Sequence, residues 1–374
     1  MPPANLVMTS QSYQSMLEHL WQQEAIALDT ESNNLFAYQE RVCLIQISST
    51  KQDFLLDPFA FDELEELGHL MADEKIQKIM HAGDYDISTL KRDYDFTFKN
   101  VFDTMLAAQA TGETNIGLGT LLEKYFEINL SKKYQRADWG KRPLEPDMLS
   151  YAQADSHYLI TLRDYLVPIL VERGWYELVL EESNAMAKLI PPMPLHSENV
   201  WRIKGSRSLK RKERGLLEQL NHQRELVAKD LNRPLFKIFS DKVLIQLTEE
   251  KPSNLDQLKE LKILSSRQLK KHGQWVIDTI NQWLKNPTVL KRPDVCKVRE
   301  PELGRRSSLL EWRKELAKQE NVTTNLILSR DLLDAIAKPK TLTIESLKEI
   351  MIDYPLRFKR FGNQIYEHLK RSEK

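Results

Sequence analysis

Short apolar runs alternate with longer amphipathic ones along the first half of the chain. The stretches "AIALDTES", "RVCLIQISS", "DFLLDP" and "QKIMHAG" have the dense or alternating apolar positions of strands. "SQSYQSMLEHLWQQ" reads as a helix capped by Thr9 or Ser10. "FDELEELGHLMAD", "YDISTLKRDY" and "LGTLLEKYF" show helical spacing, and "VFDTMLAAQATG" reads as a short strand running into a helix. "PDMLSYAQADSHYLITLRDYLVPILVERG" predicts a pair of long amphipathic helices. Strands first, then mixed elements, then helices, predict a layered α/β domain ending near Leu195.

The pattern then changes. "IPPMPLHSENVWRIKGSRSLKRKERG" is Pro-rich and then strongly basic, as expected of a linker. The second half shows no convincing strands but contains a repeat. Arg224 and Arg313, Ala228 and Ala317, Ile238 and Ile327, Ser240 and Ser329, Leu244 and Leu333, Leu258 and Leu347, and Gly273 and Gly362 all stand at one constant offset. Two copies of one small helical domain are expected, the second diverged, with Arg330 in the place of Asp241 and Thr341 in the place of Pro252. A second Pro-rich, basic stretch, "NPTVLKRPDVCKVREPELGRRS", separates the copies.

Charge follows the same division. The 54 Lys and Arg residues balance the 54 Asp and Glu over the whole chain. The first 200 residues are nevertheless strongly acidic and the remainder is equally basic, which suggests one half that needs cations and another that attracts a polyanion. No apolar run has the length of a membrane span, and the N-terminal stretch lacks the basic and apolar regions of a secretory signal. Cys43 and Cys296 are the two cysteines; they exclude a disulfide framework and fit a reducing cytosol. The histidines form no zinc-ligand spacing, and "TGETNIGLGT" lacks the Lys-Ser/Thr of a phosphate loop.

The chemistry-bearing residues fall in three places. Asp29 and Glu31 sit two apart on a strand, so they project from one face near its C-terminal end. Two like charges so close raise each other's pKa unless a cation joins them. In "HAGDYDISTL" Asp84 is the expected helix cap, which leaves Asp86 to face a cleft. In "YAQADSHYL" Tyr151 and Asp155 stand at i and i+4 on a helix and share a face. Each element alone is weak, because capping or an exposed helical pair explains it equally well.

Taken in order, strand Asp-x-Glu, then Asp at a helix start, then Tyr-x3-Asp on a late helix resemble the DEDD superfamily of 3′→5′ exonucleases in its Tyr-bearing branch. The surrounding "ALDTES…RVCLIQIS", "MHAGDYDISTL", "VFDTMLAAQ" and "ADWGKRPL…MLSYAQADSHYL" are similar to the ribonuclease D family. The C-terminal repeat resembles HRDC domains through "ELVAKDLNRPLFKIFSDKVL" and a late "KHG". The resemblance implies a ribonuclease H-like (DnaQ-like) α/β exonuclease domain with a mixed central sheet, followed by two all-α HRDC-type domains. The expected boundaries are 1–196 for the exonuclease, 197–212 for a basic linker, 213–289 for the first HRDC copy and 290–374 for the diverged second copy.

The resemblance also implies that Asp29, Glu31, Asp86 and Asp155 hold two divalent ions, Mg²⁺ or Mn²⁺, and that Tyr151 positions the attacking water. Oxygen-rich acids suit such hard cations. Phosphodiester hydrolysis needs an activated nucleophile and a neutralised leaving oxygen, and a metal pair supplies both. The expected partner is RNA, such as transfer RNA precursors and other structured RNA, acted on by a monomer in the cytoplasm. Lys132, Lys133, Arg136, Lys141 and Arg142 precede the Tyr151 helix. Lys133, Arg136 and Arg142 are candidate RNA contacts, with a structural loop anchored by Trp139 and Pro143 as the alternative. Ser32, Asn33 and Asn34 stand where many relatives have an aromatic and a basic residue. His81 is expected to be a structural strand-end residue and Cys43 a core residue.

Overall fold

A computed structural model describes residues 1–188, 200–290, 300–339 and 341–372. The chain gathers into two compact units, one of Met1–Ser32, Val42–Pro191 and Lys297–Lys374, the other of Asn33–Arg41 and Pro192–Cys296. The boundary expected near Leu195, the first residues of the basic linker and residues 291–299 of the second Pro-rich stretch, including Cys296, lie outside the described residues.

The first unit is built on a sheet of β1 (Asn5–Val7), β2 (Ala25–Ser32), β3 (Val42–Ser48), β4 (Asp53–Leu56), β5 (Gln77–Met80) and β6 (Val101–Asp103). Their order is β1-β4-β3-β2-β5-β6. β3 runs antiparallel to β2 and β4, and the other pairs are parallel, so the sheet is mixed. Eight helices accompany it: α1 (Ser10–Leu20), α2 (Glu65–Ala72), α3 (Asp84–Tyr94), α4 (Thr104–Ala110), α5 (Leu118–Phe126), α6 (Pro146–His157), α7 (Leu159–Glu172) and α8 (Tyr176–Met186). Thr9 caps α1, its hydroxyl accepting from the Ser12 amide at 3.2 Å.

The twofold alternation of β2 decides what each face meets. Ile26 and Leu28 enter a core with Met16, Leu20, Leu67, Ile87 and Leu90. Ala27 points the other way, into a core with Phe102, Leu106, Leu162 and Leu166. Asp29 and Glu31 continue the Ala27 row. β1 has three residues, too few for a periodic signal, and the apolar pattern does not announce it. The long segment after Pro146 forms α6 and α7, as the pattern predicts, with a break at Tyr158.

Two five-helix groups follow. In the second unit lie α9 (Arg211–Asp230), α10 (Leu235–Ile238), α11 (Asp241–Glu250), α12 (Leu255–Glu260) and α13 (Ser266–Lys285). The first unit is completed by α14 (Glu300–Glu320), α15 (Thr324–Ile327), α16 (Arg330–Ala337), α17 (Ile344–Ile350) and α18 (Pro355–Ser372). The repeat extends to side chains. Arg224 is buried and donates to the Phe239 carbonyl at 2.8 Å and to Asp241 at 3.0 Å. Its counterpart Arg313 donates to the Leu328 carbonyl at 2.9 Å, while Arg330 stands where the first copy has Asp241. Ser240 and Ser329 each cap the third helix of their copy.

The copies bury different partners. The first packs around its own residues, with Val200, Ile203 and Leu209 from the basic stretch in its core. That stretch therefore follows the apolar positions set among its charges. The second copy shares one continuous core with α4, α5, α7 and α8. No helix among the described residues is long and apolar enough to cross a membrane.

Candidate active site

The structure brings the five motif residues together. Asp29 and Glu31 lie at the C-terminal end of β2, opposite Gln46 and Leu44 of β3, and the ladder shifts register immediately after Glu31. Asp86 comes from the first turn of α3 and is buried. Thr30, on the face opposite Asp29 and Glu31, donates its hydroxyl to Asp86 Oδ1. Asp155 and Tyr151 come from α6, and the Tyr151 hydroxyl hydrogen-bonds Asp155. The expectation that Asp84 caps α3 is corrected. Gly83 is the cap residue, Asp84 is already helical, and the Gly83 amide donates instead to Asp103 Oδ2 at 2.9 Å. A carboxylate reaching in from the end of β6 takes the cap because β6 runs beside β5, where the turn begins.

Burial and mutual repulsion hold protons on these acids. Asp29 is raised well above the ordinary carboxylate value, first by burial and then by Asp86, Asp155 and Glu31. Burial, with Asp155 and Asp86 beside it, pushes Glu31 up to about 9. Asp155 rises to about 7 through burial, against the lowering effect of the Tyr151 hydroxyl. Asp86 rises to about 6 through burial, partly offset by the Thr30 hydroxyl. Burial and the same acids raise Tyr151 further above its phenol value, so it is a protonated donor at neutral pH. These are the effects of packing like charges into a low-dielectric corner.

Tyr151 faces a cleft of about 320 Å³ lined by Leu130, Lys133, Tyr134, Asp155 and Tyr158 among others. Its ring lies 6.0 Å from Tyr134 and 6.1 Å from the buried Trp139. Of the basic candidates, Lys133 borders this cleft, 3.3 Å from Asp147 and over the Tyr134 ring. Arg136 is exposed. Arg142, expected to reach RNA, is instead drawn inward onto Asp57 and three backbone carbonyls, because Asp57 is a buried carboxylate in need of a cation.

Two supporting acids escaped the sequence reading. Asp103 accepts from the Gly83 amide and, at 2.8 Å, from the Leu106 amide, and so fixes the turn that presents Asp86. An Asp directly before "TMLAAQA" is a legible cap signal for α4; its second bond across to α3 is not. Asp53 on β4 accepts from Gln153 at 2.7 Å and from His157 at 2.8 Å, and holds the face of α6 away from Asp155. Burial lowers the pKa of His81 to about 4, and its Nδ1 meets the Thr104 hydroxyl at 2.9 Å, a structural position.

Among the described residues no group of three or more His, Cys, Asp or Glu side chains is arranged to hold an ion as it stands. The fit to divalent metal therefore rests on donor chemistry. Four acids supply only oxygen, and each is pushed toward its protonated form, a cost that a bound cation would relieve.

Comparisons with known proteins match this picture. A 3′-5′ exonuclease family matches residues 5–171, and the HRDC domain matches residues 213–280 and 302–369. The exosome complex exonuclease RRP6 of Saccharomyces cerevisiae is 31% identical over 74% of this chain, which spans 40% of that relative's length. Ribonuclease D of Desulfotalea psychrophila is 29% identical, over 73% of this chain and 74% of the relative. The crystal structure of Escherichia coli RNase D aligns with TM-score 0.70 at 22% identity, covering 94% of this chain and 99% of that one, a likeness of fold. The fold and the matched regions thus define a 3′-5′ exonuclease joined to two HRDC domains. Within that class, the chain is similar to ribonuclease D over most of its length and shares its exonuclease region with RRP6 relatives.

Proposed function

We propose that the chain acts as a divalent-metal-dependent 3′→5′ exoribonuclease. It trims the 3′ ends of structured RNAs such as transfer RNA precursors and releases nucleoside 5′-monophosphates, working as a cytoplasmic monomer. The observation that carries the reading is the meeting of Asp29, Glu31, Asp86 and Asp155 in one corner where all four are pushed toward their protonated forms. Relatives called ribonuclease D and exosome exonuclease support RNA as the substrate.

In this reading Asp29, Glu31, Asp86 and Asp155 hold Mg²⁺ or Mn²⁺. When bound, such ions make water acidic enough to attack near neutral pH and compensate charge on the leaving oxygen. The chain's own groups do the rest. Thr30 holds one oxygen of Asp86 and so limits its rotation. The Tyr151 hydroxyl, tied to Asp155, donates at the edge of the cleft and orients the attacking water; its raised pKa argues against a role as base. In this reading Lys133, at the cleft wall beside Asp147, meets a backbone phosphate. The two HRDC copies, together with the basic stretch before them, carry the excess positive charge of the second half and are suited to holding the body of the RNA.

The test is digestion of 5′-labelled precursor RNA, and of a DNA of the same sequence, with and without chelator. Products shortened from the 3′ end, release of 5′-mononucleotides, preference for RNA and loss of activity in EDTA are expected. Trimming that persists in EDTA would refute the proposal. Tyr151→Phe is expected to lower turnover roughly 10²-fold while RNA affinity, read by anisotropy in chelator, stays within about twofold. An equal loss of affinity would make Tyr151 a binding residue instead.

A further inference from the structure

We propose that Arg142 and Asp57 are positioning residues that set the ring of Tyr151, and that Arg142 does not contact RNA. The inference rests on the role given above to Tyr151. Every N–H of the Arg142 guanidinium is committed. Nε donates to Asp57 Oδ2 at 2.5 Å, and Nη2 donates to Asp57 Oδ1 and to the Cys43 carbonyl, both at 2.7 Å. Nη1 donates to the Trp139 and Lys141 carbonyls, both at 2.8 Å. Its flat face lies 4.8 Å from the centre of the Phe59 ring, and its side chain is 25% exposed. A fork filled in this way has no donor left for a phosphate.

The anchor is rigid. Cys43 is on β3, and Asp57 follows β4 with its own amide bonded to the Val7 carbonyl at 3.0 Å. Asp57 Oδ1 also accepts from the Phe59 amide at 3.0 Å. Arg142 thus nails residues 139–142 to the sheet. That segment carries Trp139, which is 1% exposed, and its indole packs 6.1 Å from the Tyr151 ring. Tyr134, joined to the same loop by the Ala137 amide at 2.9 Å, meets the Tyr151 ring at 68° from another side. The helix α6 is held separately, by Asp53 through Gln153 and His157. One device therefore places the backbone of Tyr151 and a second one its ring. A hydroxyl that must meet both Asp155 and a water has little tolerance for a swing of the ring that carries it.

The experiment is a double-mutant cycle on the full chain with its metal. Arg142→Lys keeps the charge and loses the fork. The expected result is a kcat lowered roughly tenfold with KM for RNA unchanged, and an effect below about twofold in the Tyr151→Phe background. Should Arg142→Lys not fold by circular dichroism, Asp57→Asn carries the same cycle. A raised KM with kcat preserved and a shallower salt dependence would make Arg142 an RNA contact and overturn the inference. So would an equal loss of kcat with and without the Tyr151 hydroxyl. If Tyr151→Phe alone leaves kcat intact, the assignment of Tyr151 itself is refuted, and the inference with it.

Discussion

Asp29→Asn is expected to abolish cleavage and, in the same molecule, to raise the melting temperature of the metal-free protein at pH 8. Removing one of the proposed metal ligands forfeits several kcal/mol of transition-state stabilisation, and with each 1.36 kcal/mol worth a factor of ten the rate falls by roughly 10³-fold or more. The gain in stability has the same electrostatic origin. In the folded protein Asp29, Glu31, Asp155 and Asp86 keep their protons to higher pH than in the unfolded chain, with values of about 9, 7 and 6 for the last three. The folded state then binds more protons than the unfolded state from about pH 4 upward, so stability falls as pH rises through the values of Asp86, Asp155 and Glu31.

Asn at position 29 has no proton to take up on folding and sets no charge against its neighbours. Each kcal/mol so released raises the midpoint by roughly 2–4 °C in a domain of this size. The difference between variant and parent should therefore be large at pH 8 in chelator and vanish near pH 4. Added Mg²⁺ should stabilise the parent and leave the variant nearly unmoved. A variant that melts at or below the parent at pH 8 would show that the four acids do not strain one another.

The second large effect concerns α18. Arg357 is 0% exposed and donates to Glu182 of α8, itself buried. Glu181, the residue before it, accepts from the amides of Leu356 at 2.6 Å and Arg357 at 3.1 Å. Arg357→Met strands a buried carboxylate and is expected to cost about 3–5 kcal/mol in chemical denaturation. The guanidinium leaves Nε and Nη2 without partners, so the pair is not ideally compensated. Arg357→Met combined with Glu182→Leu should accordingly recover most of the loss, or all of it, with cleavage retained. A single variant within about 0.5 kcal/mol of the parent would contradict this. The result bears on the repeat. In the second copy Arg357 turns inward, and Arg360 lies 4.3 Å over Trp175, so two of its cations serve packing against the sheet domain.

Much of this was legible in one dimension. The 3.6-fold apolar period placed α1, α3 and α6 close to their observed limits because each buries one face, and dense apolar runs placed β2 and β3 because both of their faces meet a core. The offset of the two helical copies was legible down to Arg224 and Arg313, whose carbonyl partners recur in space. Local chemistry misled at two places. Asp84 has the residue type and position of a cap, but Asp103, distant in sequence, reaches the amide first. Arg142 lies in a run of basic residues that looks solvent-facing, yet a buried acid on β4's far end claims it.

The sequence by itself determined the elements, the repeat, the division of charge and the identity of the acids, since these depend on period and side-chain chemistry within short windows. It took the folded chain to show that four carboxylates from three elements share one desolvated corner, how far each is pushed toward its protonated form, and which cations are spent on buried partners. Those outcomes depend on distances between segments far apart in the chain, and Coulomb energy and desolvation follow distance in space.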